Sequence, residues 1–125
     1  YRRIVDSIPV PVFWHSEGYM RNYIPMAIEA GIKGIHGMEP GAGMNMGEIK
    51  KEFGKDLVLL GNVDGNEILC QSDLALVRKE VDRCLREAME GGGFMLSIAG
   101  SAHEGSQMEA LIEMCRYLQK GGVYR

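Results

Sequence analysis

Apolar residues along the chain fall into two alternating patterns: short continuous runs, and longer stretches in which they recur every three or four residues. The short runs occupy 10–14, 32–38, 57–60 and 94–99, each with the length and composition of a buried strand. A stretch of helical period follows every run. In 73–90, Leu74, Val77, Val81, Cys84, Leu85 and Ala88 share one helix face, Ser72 or Asp73 stands at the N-cap, and Gly91-Gly92-Gly93 ends the pattern. In 107–120, Met108, Leu111, Ile112, Cys115 and Leu118 recur, and Ser106 with Glu109 has the spacing of a capping box. A short helix over 45–53 has Asn45 and Glu48 at its start and Gly54 at its end. In 19–30, Pro25 interrupts the pattern and belongs in the first turn of a helix ending at Gly31.

Four β-then-α units predict an α/β fold with a parallel sheet, and right-handed crossovers put every strand's carboxyl end on one face. Polar residues gather there: His15, Ser16 and Glu17 leave the first strand, Glu39 the second, Asn62 and Asp64 the third, while Ser97, Ser101 and His103 lie at or beyond the fourth. Ligands of parallel α/β folds bind at those ends. Four units make either a small open sheet or half of an eight-stranded barrel. Its unpaired parallel edges predict self-association or a missing half.

The 125 residues suit one domain, 1–125, and 46% hydrophobic with 25% charged residues is the balance of a folded chain rather than a disordered one. A net charge of −3 gives no general attraction to nucleic acid or anionic lipid. No apolar run approaches the roughly 18 residues of a membrane span. Tyr1-Arg2-Arg3 has neither an initiator methionine nor a signal-peptide core, and reads as a start within a longer protein. Cys70, Cys84 and Cys115 are odd in number and lack Cys-x-x-Cys spacing, which fits a reducing cytoplasm; Cys84 and Cys115 are expected to pack as small core residues.

His15-Ser16-Glu17-Gly18 carries the most chemistry. In extended backbone, residues two apart point to one side, so the imidazole and carboxylate converge on a metal ion or share a proton, with Glu39 or Asp64 as a third zinc ligand and an open fourth position. The same spacing also suits a histidine bonded to a carboxylate at a sheet rim. Asn62 and Asp64, flanked by Gly61 and Gly65, offer ligand contacts or simply form a turn. His36 reads as a core or rim histidine satisfied by backbone, and His103 as an acid, base or ligand, or an exposed loop residue. Nine methionines supply an adaptable apolar lining or ordinary core. No nucleophile elbow, Walker loop, dinucleotide fingerprint or His-Glu-x-x-His helix occurs.

Taken in order, Phe13-Trp14-His15-Ser16-Glu17-Gly18, Ala30-Gly31-Ile32-Lys33-Gly34, Glu39-Pro40 and Leu60-Gly61-Asn62-Val63-Asp64, with Gly93-Phe94 opening the last strand, resemble the C-terminal half of the uroporphyrinogen decarboxylase superfamily over nearly the whole chain. The resemblance implies the (β/α)4 half of a TIM barrel, strands five to eight. It also implies one of two chemistries: cofactor-free decarboxylation of uroporphyrinogen, or zinc-dependent methyl transfer between corrinoid proteins and thiols. The methyltransferases carry His-x-Cys-Gly at the first of these strand ends and a further cysteine near the last strand. Here His15 and Gly18 match, Glu17 takes the cysteine's place and no cysteine lies near the last strand, so the implied zinc ligands are His15, Glu17 and Glu39. The decarboxylases carry Gly-His-Gly in the last strand, where this chain has Ser97-Ile98-Ala99-Gly100-Ser101 and a displaced His103.

The resemblance therefore implies part of a metal-assisted, corrinoid-dependent methyltransferase, with His15, Glu17 and His103 as catalytic groups and Asn62, Asp64 and Ser97 at the substrate. Its partners would be a corrinoid protein or small-molecule substrate, and an N-terminal half-barrel or a second copy. Two alternatives stand beside it. One is a uroporphyrinogen decarboxylase of porphyrin biosynthesis, using Asn62 and Asp64 as rim contacts and an aspartate from the N-terminal half. The other is a non-catalytic half-barrel that pairs with a separate chain or with itself.

Overall fold

A computed structural model describes residues 1–124. A short helix α1 (Arg2–Asp6) precedes β1 (Phe13–Ser16), α2 (Ile24–Glu29), β2 (Gly34–Gly37), α3 (Met46–Phe53), β3 (Val58–Val63), α4 (Leu74–Ala88), β4 (Phe94–Ile98) and α5 (Met108–Gly121). The strands form one parallel sheet in the order β1-β2-β3-β4. The four predicted units are thus present, and the fold is an α/β half-barrel.

Local chemistry sets the helix starts. The Asn45 side chain accepts from Glu48 N at 2.9 Å and opens α3, and Asp73 accepts from Ala75 N at 2.9 Å and opens α4. Pro25 sits in the first turn of α2, where its missing N–H costs nothing. The capping box at Ser106 does not form: Gln107 is the N-cap of α5 without a side-chain bond, and Ser106 Oγ instead accepts from His103 N at 3.1 Å. Cys115, expected in the core, is exposed, because α5 buries only Ala110 and Met114 where it lies against α4.

Two strand boundaries move in ways that matter for the site. β1 begins at Phe13 and runs through Ser16, because Pro9 and Pro11 have no N–H to give to a ladder. β3 continues to Val63, its last residues held by β4 in the register Asn62 with Ser97 and Val63 with Ile98. His15, Ser16 and Asn62 therefore lie within strands, not beyond them.

The register also separates the two faces of the sheet. Ile35, Leu59 and Phe94 share the helix-covered face and are buried; filling such a position with an aliphatic side chain is worth about 2–3 kcal/mol. His15, His36, Leu60 and Met95 form a matched row on the other face. No helix covers that row, and Met95 there and Phe13, two residues before His15, are 56% and 41% exposed.

Two glycines let the strand ends crowd together. Gly37 has φ 114°, and a Cβ there would stand 2.0 Å from the Ser16 carbonyl oxygen; a Cβ at Gly61 would stand 2.8 Å from the Gly37 oxygen. The ends of β1, β2 and β3 close up only without those side chains.

Candidate functional site

The curl of the sheet brings the first unit against the last. His36 Nε2 lies 3.0 Å from the Ile98 carbonyl oxygen, and Glu17 reaches so far across that a Cβ on Gly100 would sit 2.9 Å from its Oε1. Between them is a cavity of about 260 Å³ lined by Glu17, Glu39, Gly65, Asn66, Ser101 and His103, among others. Every strand-to-helix loop contributes to its wall. This is the convergence expected at the carboxyl ends of parallel strands.

His15 stands at the edge of this cluster, its ring centroid 4.7 Å from that of His36 and its Nε2 4.0 Å from Glu17 Oε1, with both partners well exposed. Glu39 is fixed at the cavity: Oε1 accepts from the Asn66 side-chain amide at 2.8 Å and Oε2 from Gly18 N at 3.4 Å. Asp64 is buried, and one carboxylate oxygen accepts from Asn66 N at 2.9 Å and Glu67 N at 2.8 Å, the geometry of an Asx turn that sets the loop after β3. His103 lines the cavity, with Nδ1 accepting from Gly105 N at 3.1 Å.

None of the three expected substrate contacts, Asn62, Asp64 and Ser97, lines this cavity. Ser97 is within β4, its hydroxyl 3.1 Å from the Ile98 carbonyl oxygen. Asn62 is fully buried and every polar side-chain atom is engaged. Its amide donates to Met38 O at 2.8 Å and Met44 O at 3.3 Å, on either side of Glu39's loop, and its oxygen accepts from Arg83 at 3.0 Å and from the Cys84 thiol at 3.7 Å. Asn62 thus positions the loop that carries Glu39 and does not face the cavity.

Arg83, which the sequence pattern left on the flank of α4, anchors this network from below. It donates to Glu80 and Glu87, each at 2.7 Å, and the hydrogen bond to Glu80 is the main cause that raises its pKa above the ordinary guanidinium value. Burial pushes the Cys84 thiol up to about 11, against the opposing pull of Arg83. Asn66 also went unrecognised, since a lone Asn in a turn-forming loop carries no periodic signal.

The charges of the rim are one-sided. The loops after the four strands contain Glu17, Glu39, Asp64, Glu67, Asp73 and Glu104 but no lysine or arginine before Arg21, whose guanidinium is paired with Glu48 and Glu52. A larger apolar hollow of about 460 Å³ lies beside β1, lined by Tyr1, Trp14, Tyr23 and Met26 among others, away from these carboxylates.

The fit to zinc is partial. His15 Nε2 and Glu17 Oε1 stand 4.0 Å apart, wider than the roughly 3.3 Å edge of a tetrahedral zinc site, and a catalytic zinc takes three protein ligands. Among the described residues no three His, Cys, Asp or Glu groups stand together as a metal cluster. Glu39 is engaged with Gly18 and Asn66 instead.

A parallel half-barrel with its polar cavity at the carboxyl ends of the strands is the architecture of one part of a (β/α)8 barrel. The chain belongs to the uroporphyrinogen decarboxylase (URO-D) family, whose model matches residues 1–120. A solved structure of a methyltransferase from Methanosarcina mazei superposes with a TM-score of 0.80 at 16% identity, over 98% of this chain. The chain spans 34% of that methyltransferase's length. No curated protein matches the sequence. No helix among the described residues is long and apolar enough to cross a membrane.

Proposed function

We propose that this chain forms the C-terminal half of the active-site barrel of a methyltransferase in the URO-D family. The observation that carries this reading is the charge at the cavity: Glu17 and Glu39 line it, and apart from Arg21, paired with Glu48 and Glu52, none of the four strand-to-helix loops holds a lysine or arginine to receive a substrate rich in carboxylates. Uroporphyrinogen is such a substrate, and its carboxylates would meet Glu17 and Glu39 with nothing on this half to offset the repulsion. The named likeness to a methyltransferase agrees with this choice.

In this reading His15, Glu17 and Glu39 are the residues that would hold zinc. Zinc bound there would hold an acceptor thiol as the thiolate that takes a methyl group from a corrinoid. Glu39 would give up its bonds to Gly18 N and Asn66 to reach the metal, and the freed Asn66 amide and the Ser101 hydroxyl would orient the acceptor. His103 lies in the same wall, its Nδ1 held by Gly105 N. The uncovered row of His15, His36, Leu60 and Met95 and the free edges of β1 and β4 are where the other half of the barrel, or a second copy, would seat. The three free cysteines accord with a reducing cytoplasm.

Titration calorimetry with zinc tests this reading. Stoichiometric binding, weakened at least about tenfold by His15→Ala and by Glu17→Ala, is expected. No binding, or binding indifferent to both substitutions, would remove the metal from this reading and return the choice to a metal-free decarboxylase-like enzyme or a half-barrel whose site needs its missing partner.

A further inference from the structure

At the amino ends of the strands, opposite the cavity, cations gather instead. Where α3 and α4 end before β3 and β4 lies a hollow of about 370 Å³, lined by Lys50, Lys51, Lys55 and Arg86 among others. Lys50 and Lys51 come from the last turn of α3, Lys55 from the turn that follows it, and Arg86 from the last turn of α4. The negative end of a helix accounts for a basic residue in its last turn, but not for four from three segments around one space. Among the described residues none of the four is in a salt bridge, whereas Arg21, Arg78 and Arg83 all are. Of the carboxylates in the lining, Glu87 is held by Arg83 at 2.7 Å, which leaves Glu90 against four positive charges.

Lys50 is built into place. Its stem passes over Gly54, where a Cβ would stand 2.7 Å from Lys50 Cδ, so this path needs glycine beneath it. The ammonium at its end donates to the Gly92 carbonyl oxygen. An ammonium has three N–H donors, and this bond uses one, leaving two for a ligand in the hollow that Lys50 lines. Lys51, Lys55 and Arg86 are exposed on the walls, and Gly47, Gly54 and Gly91 add no side chain to obstruct the space between them.

From this geometry we propose that the hollow between the ends of α3 and α4 binds a phosphate chain, an anion of the di- or triphosphate class, independently of the methyltransferase reading. The fixed ammonium of Lys50 holds one phosphoryl group by charge-assisted hydrogen bonds, and Lys51, Lys55 and Arg86 close on its neighbours from the two walls. Four cations against Glu90 suit a chain of phosphoryl groups better than a single one. The site lies at the other end of the strands from Glu17 and Glu39, so the anion does not meet the acidic rim.

The test is titration calorimetry of the full chain at low salt and without zinc, with inorganic triphosphate as the probe and inorganic phosphate and ATP beside it. Triphosphate is expected to bind with one-to-one stoichiometry and at least about tenfold more tightly than phosphate. The double variant Lys55→Gln/Arg86→Gln should weaken it about tenfold, and Glu90→Gln should tighten it. Arg116→Gln/Lys120→Gln removes the same charge from exposed positions on α5 outside the hollow, and should leave the affinity within about twofold. All of these residues are exposed, so the variants keep the fold, which their melting curves check. ATP bound as tightly as triphosphate supports the phosphate chain as the whole ligand, and ATP bound more tightly supports a nucleotide that carries it. No binding of triphosphate, equal affinity for phosphate, or a loss on α5 as large as that at Lys55 and Arg86 would mean diffuse attraction only and overturns the proposal.

Discussion

Replacing Asn62 by aspartate separates the two things this buried side chain does. Its oxygen meets Arg83, and its amide meets the carbonyls of Met38 and Met44. Aspartate is the same size and strengthens the contact with Arg83, yet it turns an acceptor toward two carbonyl oxygens. Each buried group left without its partner costs roughly 1–3 kcal/mol, so Asn62→Asp should lose about 3 kcal/mol despite the better ion pair. Asn62→Ala loses the same two bonds, leaves Arg83 short of one acceptor and opens a small void, for about 3–5 kcal/mol. For a domain of this size these losses lower Tm by about 10–20 °C. Urea unfolding of the two variants beside the wild type measures the differences. If Asn62→Asp falls within about 0.5 kcal/mol of wild type, the attachment of Arg83 matters and the tie to Glu39's loop does not, and the positioning role assigned to Asn62 is refuted.

Two further outcomes follow from the packing. Burial pushes the Cys84 thiol up to about 11, so the folded state retains its proton longer than the unfolded chain; stability should be unaffected by this group below about pH 9 and fall by roughly 2–3 kcal/mol as pH rises through 11, a loss that Cys84→Ala removes in parallel denaturation series. Gly37→Ala places a methyl group against the Ser16 carbonyl at a backbone angle that alanine rarely adopts, and should cost roughly 3 kcal/mol or more; an unchanged melting temperature would show that the strand ends are not packed as described.

The alternation of apolar runs and helical periods carried the architecture, because each of the four units repeats the same physical demand: a strand buried beneath a helix. Helix starts were readable where a side chain caps locally, as at Asn45 and Asp73. Ser106 had the right spacing but was taken by His103, a competition that depends on how the loop folds back. Strand ends were less legible, since the extension of β3 through Asn62 is imposed by pairing with β4 and not by anything within residues 58–63. For the site, Glu17, Glu39 and His103 were legible as polar residues at strand ends, and the structure brings all three to one cavity. Asn62 was legible only as polar. Its burial follows from Arg83 on α4, a contact between residues 21 apart that no local pattern encodes.

The absence of lysine and arginine from the loops around the cavity has a kinetic side. A surface of one sign over a concave face focuses its field outward, so an incoming molecule is turned or hastened before any contact forms. Encounter with a positively charged visitor would slow as ionic strength rises, encounter with a negatively charged one would quicken, and an uncharged one would not notice the salt. The rim sorts its visitors by charge at a distance, before the shape of the cavity has any part in choosing among them.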